Sequence, residues 1–192
     1  MDQTVHRKKQ ADRLLYDCSL LDILKKYGTP HIIGSYRMDL MAWNDLDIDI
    51  DITNAGMNRQ KLYALTAELL ARFQPVWYEA KETCDDEGQL AWFHGFETDL
   101  LGERWNIDLW FFEHNTVDNA ICFCDQTARQ INGDPAKKSA ILEIKTYLIE
   151  HGKYSFNLYT SMDVYRAVLT EGISTPAEFL SKYEKRPHEA DI

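Results

Sequence analysis

Eight consecutive residues carry the most chemical information in this sequence: Asp45, Leu46, Asp47, Ile48, Asp49, Ile50, Asp51 and Ile52. Strict alternation with period two describes a strand with one apolar and one acidic face. On such a face, side chains at i and i+2 sit about 6.5–7 Å apart at their bases, close enough for two carboxylates to converge on a cation. Aspartate has no intrinsic preference for strands, and neighbouring carboxylates repel one another. A locally costly choice of this kind marks a functional site more often than a structural one. The structural alternative is an acidic edge that discourages aggregation, for which Lys and Glu are the more ordinary residues. Hard divalent cations take oxygen ligands, and Mg²⁺ is usually held by one or two carboxylates together with substrate phosphates. The acidic strand therefore implies a phosphate-bearing substrate.

A phosphate needs a cradle, and one stands upstream in Gly34-Ser35-Tyr36-Arg37. Glycine permits close backbone approach. A turn entering a short helix offers backbone N–H groups, and the Ser35 hydroxyl and the Arg37 guanidinium add donors. Alone, the pair reads as an ordinary turn. Its spacing to the acidic strand makes it informative: nine residues separate Ser35 from Asp45-Leu46-Asp47.

In this spacing the sequence resembles the nucleotidyltransferase superfamily of DNA polymerase beta, whose signature is Gly-Ser, about nine or ten residues, then Asp-x-Asp. Asn44, just before the acidic pair, resembles the polar residue at that place in the antibiotic-modifying members, the aminoglycoside- and lincosamide-type enzymes. The resemblance covers residues 30–52 closely and 30–112 in outline. It implies a mixed β-sheet with flanking helices, Mg²⁺ or Mn²⁺, an NTP donor (ATP for preference) and a third carboxylate on a later strand. Asp108, in the otherwise apolar and aromatic run from Trp105 to Phe111, is the best candidate, because a lone buried carboxylate is costly unless something binds it. Asp99 and Glu97 are its rivals. The metal ligands and catalytic residues expected are thus Asp45, Asp47 and Asp108, with Gly34, Ser35 and Arg37 on the nucleotide. Asp47-Ile48-Asp49 and Asp49-Ile50-Asp51 also fit Asp-x-Asp, but the nine-residue gap and Asn44 favour the first pair. Asp49 and Asp51 would then lie further along the same face, solvated or against a cationic acceptor.

These residues must be positioned by a defined order of elements. Leucines at helical spacing place a helix at 9–27, and Gly28 is a plausible stop. A short strand at 30–34, one or two helical turns at 36–42, the acidic strand at 45–52 and a helix at 57–73 follow. Strands are expected near 76–82, 89–98 and 105–112, with Gly88 and Gly102 at the turns between them. After Glu113 only helices are expected, at 117–130, 135–151, 161–171 and 176–184, two of them opened by Asp134-Pro135 and Thr175-Pro176. The fold class is α/β (α+β): a sheet core over 1–115 followed by a helical part over 116–192.

Composition narrows the function classes. The chain has 192 residues, 45% hydrophobic and 12% aromatic, enough for a packed core and unlike a disordered chain. No signal peptide or membrane-length apolar run is present, so a cytoplasmic protein without a membrane partner is expected. The four cysteines form no CxxC pair and read as buried reduced thiols. Trp77, Trp92, Trp105 and Trp110 read as core rather than as a base-stacking platform. The acidic run Glu79, Glu82, Asp85, Asp86 and Glu87 reads as a solvated hairpin. Lys137, Lys138, Lys145 and Lys153 lie in the helical part without a motif to place them. A net charge of −10 argues against nucleic acid as a partner and suits a cationic small-molecule acceptor. The leading expectation is transfer of AMP from an NTP to a hydroxyl of an aminoglycoside- or lincosamide-like compound. The alternatives are a nucleotidyltransferase modifying a protein or RNA, as in toxin–antitoxin systems, and a non-catalytic nucleotide-binding module.

Overall fold

The computed structural model describes residues 3–85, 88–100, 102–113 and 115–183. The chain divides into two compact units, Met1–Ala128 and Arg129–Ile192.

In the first unit, five strands form one sheet in the order β1-β2-β5-β4-β3. They are β1 (Thr29–Ile32), β2 (Asp45–Asp51), β3 (Trp77–Cys84), β4 (Leu90–Leu100) and β5 (Glu103–Phe112). β2 runs parallel to β5, and the other neighbours are antiparallel. The sheet is mixed, as expected from the sequence.

The alternation in β2 works as the pleat requires. Leu46, Ile48 and Ile50 are fully buried, together with Trp105, Ile107, Leu109 and Phe111 of β5 and Phe96 of β4. Against this apolar face pack Leu14, Leu15, Leu20, Leu24, Leu62, Leu65 and Leu69 from the helical segments. The opposite face carries the aspartates. A one-residue slip of β2 would exchange the two sets, so the apolar side locks the register that aims the acidic side.

The first helical segment differs from the single helix expected over 9–27. Helix α1 spans Gln3–Asp12, a five-residue π turn follows at Arg13–Asp17, and α2 spans only Leu20–Leu24. Ser19 adopts a left-handed backbone (φ 63°), which breaks the run while leaving its leucines buried. Helix α3 (Gly34–Arg37) is one turn long and starts at the glycine itself. Helix α4 (Arg59–Phe73) is capped by the Asn58 side chain, which accepts from the Lys61 amide at 2.9 Å. Helix α5 spans Asn115–Asn132.

The second unit is helical. Helices α6 (Pro135–Glu150), α7 (Ser161–Leu169) and α8 (Pro176–Lys182) enclose a small core of Ile141, Ile144, Leu148, Val164, Val168 and Phe179. Asp134 caps α6 as expected, and Thr160 and Thr175 form capping boxes with Asp163 and Glu178. Lys145 is 1% exposed here, its ammonium over the rings of Tyr154 and Tyr165.

Candidate active site

The sheet register brings the site together. Asp47 of β2 pairs with Asp108 of β5, and Asp45 pairs with Asn106. On a pleated sheet, cross-strand partners share a face, so Asp45, Asp47, Asn106 and Asp108 all rise from the side opposite the core. One carboxylate oxygen from each of Asp45, Asp47 and Asp108 lies within 4.8 Å of the other two. Among the described residues this is the only such group of three potential metal ligands. The rivals for the third position are held elsewhere. Asp99 binds the Arg104 guanidinium at 2.5 and 3.0 Å, and Glu97 binds it at 3.2 Å.

Burial raises the cost of this arrangement. The Asp108 carboxyl is pushed up to about 6, first by desolvation and then by the negative charge of Asp45, against the opposing hydrogen bond from Asn106. Asn106 also donates to Asp45 Oδ1 at 2.8 Å. One amide thus tethers two members of the cluster. Sequence reasoning passed over Asn106; its position two residues before Asp108, on the same strand face, was the signal that could have found it.

The Gly34-Ser35 turn lies directly against the cluster. The Ile33 amide donates to the Asp47 carbonyl at 3.1 Å, docking the turn onto β2. Gly34 has φ +60°, and a Cβ there would collide with Asp47 Oδ2 and stand 2.8 Å from its Cγ. Only glycine satisfies both the left-handed backbone and that approach. Ser35 is 6% exposed, and its Oγ is buried without a hydrogen-bond partner. An unsatisfied buried hydroxyl beside three carboxylates calls for a ligand atom to complete it.

Two expectations change. Asp49 is not solvated: it is 3% exposed, and burial pushes its carboxyl up to about 7. Its same-face neighbours across the sheet are His31 of β1 and Trp110 of β5, and the Cys124 thiol of α5 senses the charges of both Asp47 and Asp49. Asp51 instead accepts from the Thr53 amide at 2.8 Å, an ordinary turn contact. Arg37 is near the turn but engaged, since its guanidinium binds Asp125 of α5 at 2.7 and 3.1 Å. Asp125 lies 88 residues away in sequence, and nothing local announced it.

The remaining candidates separate by burial. Trp92 and Trp105 are core, but Trp77 is 44% exposed, because β3 is an edge strand. Cys124 is buried, whereas Cys84 and Cys122 are exposed, contrary to four buried thiols; all four are free. Glu79 forms an ion pair with Lys81 at 2.9 Å and Glu82 one with Arg59 at 3.2 Å. Asp86 and Glu87 lie outside the described residues.

Comparison with solved structures agrees with this architecture. The chain superposes on the Cid1 poly(U) polymerase bound to magnesium and 3′-dATP with a TM-score of 0.62 and 17% identity, over 88% of this chain and 49% of that one. A cytoplasmic RNA terminal U-transferase gives 0.56 and 19%, over 88% and 48%. The non-canonical poly(A) polymerase complex GLD-2–GLD-3 gives 0.55 and 15%, over 100% and 61%. The chain has the nucleotidyltransferase core fold. It spans about half to three-fifths of the length of these structures. No protein-family model matches the chain, and no curated protein matches it. Among the described residues no helix is long and apolar enough to cross a membrane.

Proposed function

We propose that this chain transfers a nucleotidyl group from an NTP to a hydroxyl at the end of a polynucleotide, RNA for preference, using Asp45, Asp47 and Asp108. The observation that carries the reading is the meeting of these carboxylates, within 4.8 Å, beside the unsatisfied Ser35 hydroxyl. The residues present fit a divalent cation: three carboxylate oxygens form a hard, anionic donor set of the kind Mg²⁺ or Mn²⁺ accepts. When bound, such a cation neutralises phosphate charge and lowers the pKa of an acceptor hydroxyl.

The chain's own residues then have distinct tasks. Asp45 and Asp47 supply the anionic oxygens from β2, held in place by Asn106 and by the docked turn. Asp108, on β5 across from the pair, is the carboxylate that would take the proton of the acceptor hydroxyl. Oxygen of the acceptor bonds to the α-phosphorus, the bond to the bridging oxygen breaks, and pyrophosphate departs. Ser35 Oγ donates to a phosphate oxygen, which resolves its buried, unpaired state. Gly34 lets that phosphate and the Asp47 carboxylate share one small space.

Three solved neighbours described as a poly(U) polymerase, an RNA terminal U-transferase and a poly(A) polymerase support a polynucleotide acceptor over the small molecule expected from the sequence. The small cationic acceptor remains the second reading, favoured by the net charge of −10. One experiment separates them. Purified protein is incubated with Mg²⁺ or Mn²⁺, each of four labelled NTPs, an oligoribonucleotide and a panel of aminoglycosides and lincosamides. Label on the oligonucleotide, lost in Asp47→Asn, is the expected result. Label on a small molecule alone overturns the polynucleotide reading, and label on nothing overturns both.

A further inference from the structure

A cavity of about 440 Å³ shares the Asn106 side chain with the cluster, and the chemistry described so far does not use it. Its walls come from α1 (Gln3, His6 and Arg7), from Trp43 and Asn44 before β2, and from Glu97, Glu103, Arg104 and Asn106. Asn106 is the shared wall, because its amide holds Asp45 at 2.8 Å while its other side bounds the cavity. Asn106 and Asp108 are i and i+2 on one strand face, so the cavity begins about 7 Å from the general base.

The two arginines and two glutamates lining this cavity balance in number but not pair by pair. Arg104 is neutralised by Asp99 and Glu97, at 2.5 and 3.2 Å. Glu103 accepts from Asn44 at 2.7 Å and faces His6 at 3.4 Å. Lys8, the next residue on α1, pairs with Asp39 at 3.6 Å. Arg7 differs: its guanidinium reaches only the Gln3 side-chain oxygen at 3.2 Å and the Met41 carbonyl at 3.5 Å. Among the described residues it has no carboxylate partner. In a chain of net charge −10, a half-buried arginine with no carboxylate partner among the described residues, in a cavity of nucleotide size and beside the proposed phosphoryl-transfer centre, offers an anion a charge-assisted contact. Trp43 adds an indole to the same wall, suited to the face of a base or a sugar.

We propose that this cavity receives the terminal nucleotide of the acceptor, with the Arg7 guanidinium on the phosphate that links it to the preceding nucleotide. The inference rests on the polynucleotide reading above and names where that acceptor sits. The terminal ribose hydroxyl then lies at Asp108, and the phosphate one nucleotide back lies over α1. Recognition is by charge at Arg7 and by shape at Trp43, without a base-specific set of donors.

The test is binding of a 5′-fluorescein oligoribonucleotide followed by anisotropy across a salt series. Wild type, Arg7→Gln, Arg7→Lys and Lys9→Gln are compared, Lys9 being an exposed lysine of α1 outside the cavity. Arg7→Gln should weaken binding about 5- to 10-fold and reduce the slope of log K against log salt by about 0.7, the value of one phosphate contact on a single strand. Arg7→Lys should keep the slope, and Lys9→Gln should change neither quantity. An oligonucleotide with a neutral methylphosphonate at its last linkage should bind wild type as weakly as Arg7→Gln binds the ordinary one. Combining the two changes should cost nothing more, because both remove the same contact. Equal binding of both oligonucleotides to wild type overturns the proposal even if Arg7→Gln is poorly folded, and so does a fully additive loss. If wild type labels no oligonucleotide at all, the polynucleotide reading itself fails, which is a separate result from transfer that ignores Arg7.

Discussion

Gly34→Ala isolates the physical idea on which the site depends. Alanine at φ +60° costs about 1–2 kcal/mol of backbone strain wherever it occurs. At Gly34 a second cost is added. The new Cβ would stand 2.8 Å from Asp47 Cγ. Relief to an ordinary carbon–carbon separation of about 3.5 Å moves that carboxylate by at least about 0.7 Å, and its Oδ2 by more. A ligand oxygen displaced on that scale leaves the cluster, and misplacements near 1 Å cost about 100-fold in rate. Gly56 is the matched control: it lies in the same unit at φ +59° with nothing within 4 Å of an added Cβ. Gly56→Ala should lose the same stability, measured by thermal melting, and keep its transfer rate. Gly34→Ala should melt at or below the temperature of Gly56→Ala, lose about 100-fold or more in turnover, and bind Mn²⁺ measurably more weakly by paramagnetic resonance. If the two variants transfer label at equal rates and bind Mn²⁺ equally, the close approach of Gly34 to Asp47 has no catalytic meaning and the reasoning fails.

Three further outcomes follow from the same geometry. Asn106→Ala removes the tether on Asp45 and Asp108, so Mn²⁺ affinity should fall about 10- to 100-fold with little change in melting temperature; unchanged affinity would remove Asn106 from the site. Asp125→Asn releases the Arg37 guanidinium from its bidentate partner, so KM for the NTP should fall if Arg37 reaches phosphate, while Arg37→Gln should raise it; no change in either variant restricts Arg37 to a structural role. His94 is fully buried and its pKa is lowered to about 4 from 6.5 by desolvation. At this group the unfolded chain therefore binds the extra proton first, and the contribution of His94 to stability declines as pH falls from about 6.5 towards 4, by up to about 3 kcal/mol. Asp49 and Asp108, raised to about 7 and about 6, take up protons in the folded chain and act in the opposite sense over this window, so the comparison is with His94→Phe: in urea titrations at pH 7 and pH 4.5 the variant should gain stability relative to wild type as pH falls, and an identical pH response in both proteins assigns no acid sensitivity to His94.

The sequence by itself determined the acidic strand, its register, and its partner turn. A period-two pattern with fully apolar alternate residues can be satisfied by one strand orientation only, and the nine-residue gap singled out Gly34-Ser35 as the turn to set beside it. It also determined the helical caps at Asp134 and Thr175, because capping is local chemistry within three residues. The tertiary structure decided what depends on residues distant in the chain. Pairing of Asp47 with Asp108 required β2 and β5 to be parallel neighbours, and that topology reflects how the helices cover the sheet's apolar face. The burial of Asp49, the capture of Arg37 by Asp125 and the cavity bounded by Arg7 arise from residues distant in the chain. Local pattern reports which way a side chain points from its own backbone. What it meets there is set by the path of the rest of the chain, and that path carries no short-range signal.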